Sequence, residues 1–165
     1  MPGQKNRSVE ILVVDDDKSL NMMICKFLEK QGFQNVHAFY TGEDLISSIE
    51  KFKAPIVIQD FELPGINGVE VLQKVKSLNP KAEFIFLSGQ SSIDVAVDAI
   101  KYGAFDYIIK DSFAKENVTT KIRNLQKIKT LLSERSSFKL ILLFFLVLLF
   151  VSWIYILFYK FNLTK

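Results

Sequence analysis

The feature that most narrows the folds open to this chain is an alternation. Runs of β-branched and aromatic residues, Val9–Val14, Val36–Tyr40, Ile56–Asp60, Glu83–Leu87 and Phe105–Ile109, alternate with longer stretches whose apolar residues recur every three or four positions. Short apolar runs bounded by Gly, Pro, Asn and Ser read as strands, and the 3.6-residue period reads as helix. Leu20, Met23, Ile24, Phe27 and Leu28 form one such helical stripe, stopped by Gly32; Leu45, Ile46 and Ile49 form the next, opened by Thr41. Val69, Leu72, Val75 and Leu78 are closed by Asn79-Pro80, and Ile93, Val97 and Ile100 by Gly103. The last stripe runs from Ala114 to Leu132 through Val118, Ile122 and Leu125. Strand and helix alternating in this way specify an α/β sandwich of three layers, a five-stranded parallel sheet with helices on both faces.

In a parallel sheet all strands end on the same edge, and that edge is where ligands bind. The chain places Asp15 and Asp16 after the first strand, Asp60 after the third, Ser88 after the fourth and Lys110 after the fifth. Singly, each has an ordinary role: an N-cap, a turn hydroxyl, a solvated lysine. Together they place three carboxylates at close quarters, and their repulsion calls for a hard divalent cation such as Mg²⁺. Lys110 and Ser88 suit the oxygens of a transferring phosphoryl group, and an Asp carboxylate can accept that group as nucleophile.

The motifs ILVVDDD, IVIQDFELPGINGVE, FLSG and FDYIIK resemble those of the receiver domain of two-component response regulators, of the single-domain chemotaxis type. The resemblance covers about three quarters of the chain, Val9 to Leu132, and implies a flavodoxin-like (βα)5 fold. It also implies phosphorylation of Asp60, with Asp16, Asp60 and the Glu62 carbonyl binding Mg²⁺ directly and Asp15 assisting through water. Ser88 and Lys110 would contact the phosphoryl group, and Tyr107 would be the aromatic that rotates on activation. Glu62 and Gln90 stand where the family tunes phosphoryl lifetime. The donor would be a histidine kinase or histidine phosphotransfer protein, and the chain a phosphoacceptor switch and no enzyme in the ordinary sense. One departure stands out: Asp111 replaces the proline that usually follows the lysine, and its carboxylate is a competitor for Lys110.

Leu140 to Tyr159 contains no charge, Gly or Pro and is long enough, at about 1.5 Å per residue, to span a bilayer core of roughly 30 Å as a transmembrane helix. Residues 117–139 carry six basic side chains against the single acid Glu134, so the basic flank, and with it the long N-terminal part, is expected in the cytoplasm. Residues 1–116 hold 13 basic and 17 acidic side chains, which argues against a nucleic-acid partner. The expected plan is an extension (1–8), a receiver domain (9–132), a basic juxtamembrane linker (133–139), the span (140–159) and a short tail (160–165). Partners are then the phosphodonor, an effector of unknown identity and the membrane, with homodimerisation invited by the stripe on the last helix. Cys25 and His37 read as packing residues. Two rivals exist: a receiver fold that only docks at the membrane unphosphorylated, and a haloacid-dehalogenase-type phosphatase, whose further acidic pair after the lysine is missing.

Overall fold

A computed structural model describes residues 9–89 and 93–163, with side chains described for 9–89, 96–132 and 143–154. It has two compact units, Met1–Asn124 and Leu125–Lys165.

In the first unit the strands are β1 (Glu10–Val14), β2 (Asn35–Phe39), β3 (Ile56–Asp60), β4 (Glu83–Ser88) and β5 (Asp106–Ile109). They form one parallel sheet in the order β2-β1-β3-β4-β5. The chain adds β2 on one side of β1 and then crosses to add β3 on the other. A crevice therefore opens at the carboxyl ends of β1 and β3. The helices are α1 (Lys18–Lys30), α2 (Gly42–Ser48), α3 (Gly68–Leu78), α4 (Ile93–Lys101) and α5 (Ala114–Leu163). A short 3₁₀ turn, Ile49–Lys51, follows α2.

Alternation along the strands divides the core. Leu12, Val14, Val57, Phe84 and Phe86 face α2 and α3, packing on Leu45, Val71, Leu72 and Val75. Ile11, Val13, Ile56, Ile58 and Ile85, also buried, point the other way. That face is left to α1 and the first turns of α5, where Ile24, Leu28, Val118 and Ile122 are buried. Helix starts follow side-chain chemistry: Asp17 accepts from the amides of Ser19 and Leu20, Thr41 from Asp44 and Asn67 from Val69. Gly32 lies at φ +93°, the left-handed conformation that ends α1.

Two expectations change in detail. The buried stripe of α1 is Asn21, Ile24 and Leu28, whereas Met23 is 44% exposed. The stripe is rotated toward Asn21, a polar side chain in phase with Ile24 and Leu28. The last helix also does not stop at Leu132. Its backbone continues without a break through 133–139, since neither Gly nor Pro occurs between 114 and 163 to interrupt it.

In the second unit, Leu143 to Ile154 is helical and its apolar side chains are exposed. The side chains of 133–142 and 155–165 lie outside the described residues, which takes in parts of the expected linker, span and tail. Among the described residues no helix is long and apolar enough to cross a membrane.

Candidate functional site

The crevice holds the residues expected there. Asp15 follows the last residue of β1, and Asp60 is the last residue of β3; they are 1% and 8% exposed. Asp16 is exposed beside them, and one carboxylate oxygen from each of the three lies within 4.8 Å of the others. The donors are all hard oxygens gathered in one small volume, the donor chemistry that suits Mg²⁺.

Lys110, at the end of β5, reaches into this cluster. Its Nζ is 2.8 Å from Asp15 Oδ2 and 2.7 Å from Asp60 Oδ2. The second oxygen of each carboxylate takes a backbone amide, Asp17 N–H on Asp15 Oδ1 at 2.9 Å and Glu62 N–H on Asp60 Oδ1 at 3.2 Å. One cation and two amides thus compensate two nearly buried anions.

Burial raises the pKa of Asp15, outweighing the hydrogen bond and charge of Lys110, and the charge of Asp60 pushes it the same way. For Lys110, burial works to lower the pKa, but hydrogen bonds and charge from Asp15 and Asp60 together win and raise it.

Ser88 ends β4, fully buried, and its carbonyl accepts from the Lys110 amide at 2.7 Å. In register it faces Ile109, so hydroxyl and lysine come from adjacent strand ends. Tyr107 is half-buried against the core and meets the Phe61 ring edge-on, with centroids 6.3 Å apart; Phe61 in turn packs edge-on against Phe86 at 5.5 Å. Glu62 is exposed at the mouth, and Gln90 lies outside the described residues.

Asp111 does not take the lysine. Its Oδ1 accepts from the Phe113 amide at 2.8 Å, and its own amide donates to the Ile109 carbonyl at 2.9 Å. A side chain that can close a turn onto its own backbone does so at little entropic cost, and Asp111 forms such a turn in the segment that precedes α5. No cis peptide bond occurs among the described residues.

A polar cluster on one sheet edge recurs in many folds, so comparison decides the family. The family model of the response regulator receiver domain matches residues 11–123. This chain is a member of the response regulator receiver family. Its receiver is 30% identical over 129 residues to the C4-dicarboxylate transport transcriptional regulatory protein DctD of Rhizobium meliloti, a match covering 78% of this chain and 28% of that protein. It is 28% identical to the chemotaxis protein CheY of Thermotoga maritima, over 61% of this chain and 83% of CheY. Against the first relatives, DctD and the transcriptional regulatory protein ZraR of Salmonella typhimurium, the chain spans only about a quarter of their length. Among solved structures, a CheY-like receiver domain from Methanospirillum hungatei superposes with a TM-score of 0.66 at 26% identity, covering 74% of this chain and 97% of that one.

Asn21 and Gln59 are two buried polar residues of this receiver that do not stand among the candidates read from the sequence. Asn21 is fully buried beside the β1 terminus, and Gln59 donates from Nε2 to the Gly68 carbonyl at 3.0 Å. The available signal was a polar residue in phase with Ile24 and Leu28. Cys25 is half-buried on α1, where a small core residue was expected, and His37 is a partly buried residue of β2 that packs on Phe52 and pairs with Glu10. Burial, with a contribution from Glu29, pushes the Cys25 thiol up to about 11, and His37 Nε2 lies 2.8 Å from Glu10 Oε2.

Proposed function

We propose that this chain is a membrane-tethered receiver that accepts a phosphoryl group on Asp60 from a histidine kinase or histidine phosphotransfer protein and signals by phosphorylation-dependent binding. The supporting observation is the Asp15, Asp60 and Lys110 cluster at the topological switch point. In the transfer, an Asp60 oxygen attacks phosphorus, the P–N bond to the donor imidazole breaks with its electron pair going to nitrogen, and an acyl phosphate remains. Lys110 leaves Asp60 Oδ2 for the phosphoryl oxygens, and the Ser88 hydroxyl donates to another. Asp16, Asp60 and the Glu62 carbonyl, with Asp15 assisting through water, would hold Mg²⁺, which would supply positive charge to the phosphoryl oxygens.

Output is read on the face of α4, β5 and α5. Tyr107 changes rotamer there, and Val97, Ile100 and Ile109 offer exposed apolar surface to an effector or a second copy. Support for tethering is the uncharged stretch 140–159, the exposed apolar side chains of 143–154 and the basic flank before them. The receiver is placed on the cytoplasmic side, following the plan of an extension to residue 8, receiver to 132, linker to 139, span to 159 and tail.

Incubation of the full chain with Mg²⁺ and acetyl phosphate tests the chemistry. One phosphate per chain is expected, and none on Asp60→Asn; incorporation that survives this change would overturn the assignment. For the tether, the full chain should sediment with membranes and resist alkaline extraction, and a chain lacking 138–165 should remain in the supernatant. Equal distribution of the two would refute it.

A further inference from the structure

We propose that Asn21 is a positioning residue for the acidic site, setting the main chain from which Asp15 and Asp16 project. Its side chain is 0% exposed on the first turns of α1, where an apolar residue would ordinarily pack. Nδ2 lies 2.7 Å from the Phe39 carbonyl, 3.2 Å from that of Asp15 and 3.3 Å from that of Val13. An amide nitrogen carries two hydrogens, so the three carbonyls share them. The orientation is determined, since turning the amide over would set Oδ1 against three carbonyl oxygens; as placed, Oδ1 accepts from the Cys25 thiol at 3.4 Å.

The carbonyls it gathers are those at which the β1–β2 ladder ends. The last register pair is Val14 with Phe39, and the Asp15 amide donates to the same Phe39 carbonyl at 3.2 Å. Beyond this point the backbone must turn from strand into α1 while presenting one buried and one exposed carboxylate to the same small volume. Asn21 holds Asp15 by its own carbonyl and by the carbonyl that its amide uses. A bridging amide whose hydrogens go to the ligand residue's main chain acts on the site as an outer-shell group acts on a metal ligand. A buried polar side chain whose only role was packing would be replaceable by an apolar one of equal volume; this one is not, because removal takes a donor from three carbonyls, of which that of Phe39 keeps the Asp15 amide and that of Asp15 lies at the site itself.

The inference rests on the proposed use of Asp15, Asp16 and Asp60 to hold a divalent cation, so the test measures that binding directly. Mn²⁺ is titrated calorimetrically into the full chain in detergent micelles, alongside urea unfolding, for the wild type, Asn21→Ser and Asn79→Ala. Asn79 is the control, a comparable clamp whose Nδ2 donates to the Phe52 carbonyl at 2.8 Å and which caps the other end of α3. Asn21→Ser is expected to weaken Mn²⁺ binding at least tenfold. It should also slow phosphorylation by acetyl phosphate at low Mg²⁺, with recovery at saturating Mg²⁺. Asn79→Ala is expected to lower the urea midpoint while Mn²⁺ affinity stays within twofold. If Asn21→Ser lowers only the midpoint and keeps its Mn²⁺ affinity, Asn21 is a structural clamp and the inference fails. A wild-type chain that binds no Mn²⁺ overturns the metal reading beneath it instead. Should Asn21→Ser not fold, Asn21→Gln, which displaces the amide by one methylene, is judged by the same criterion.

Discussion

Lys110 Nζ lies 2.7 Å from Asp60 Oδ2, across 50 residues of sequence, and the same nitrogen is 2.8 Å from Asp15 Oδ2. A single ammonium therefore holds together two carboxylates that would otherwise repel at the junction of β1 and β3. It is also the group that must let go of Asp60 when a phosphoryl group arrives, which makes it both a fold contact and a part of the chemistry.

Replacing Lys110 by Met separates these roles. Stability should fall by about 2 kcal/mol, below the ~3–5 kcal/mol of a fully buried pair because part of the lysine is in water. Phosphoryl uptake from acetyl phosphate should drop ~100-fold or more, as when a positioned transition-state donor is lost. Urea unfolding and a radiolabelled uptake assay measure the two effects.

The alkaline limb of stability should carry the same signature. The folded pKa of Lys110 lies above the ordinary value of 10.5, because pairing with Asp15 and Asp60 outweighs burial. Its contribution is then complete below pH 10.5 and is lost as pH rises through the folded value. The stability gap between wild type and Lys110→Met should be flat from about pH 8 to 10 and shrink above 10.5. A gap that widened with pH would contradict the pairing.

Asp15→Asn should trade function for stability. Burial raises the Asp15 pKa above 3.8, so the folded state disfavours the charged carboxylate, and this cost is present at neutral pH and relieved as acid protonates it. The neutral isostere should be at least as stable as wild type near pH 7, yet bind Mg²⁺ at least tenfold more weakly. Thermal unfolding with and without Mg²⁺ reads both.

Gly68→Ala should be costly although Gly68 opens a helix. A Cβ there would sit 2.8 Å from the Phe61 carbonyl and 2.9 Å from Gln59 Nε2, a backbone atom and a buried amide that have little room to yield. A loss of about 1–3 kcal/mol is expected from such overpacking, measured by urea unfolding.

Much of this was legible in the chain itself. Val57 and Ile58 declare a buried strand, Pro64 and Gly65 a loop, and Asp60 stands between them. Strand ends came within a residue of their observed positions because side-chain period and turn chemistry are local. Less legible was the role of Asp111, whose carboxylate turns onto the Phe113 amide and leaves the lysine alone. The choice depends on where the chain after β5 places each partner, and spacing alone does not encode it.

Local chemistry by itself determined five strands, their helices, the parallel sheet and the set of residues brought to its carboxyl edge, because hydrophobic period and helix caps act over a few residues. Only the tertiary structure decided that Lys110 serves two carboxylates at once, that burial raises the pKa of Asp15, and that Asn21 turns inward to hold the end of β1. Those are matters of distance and desolvation between groups far apart in sequence, and they come into being when β1, β3 and β5 are laid side by side.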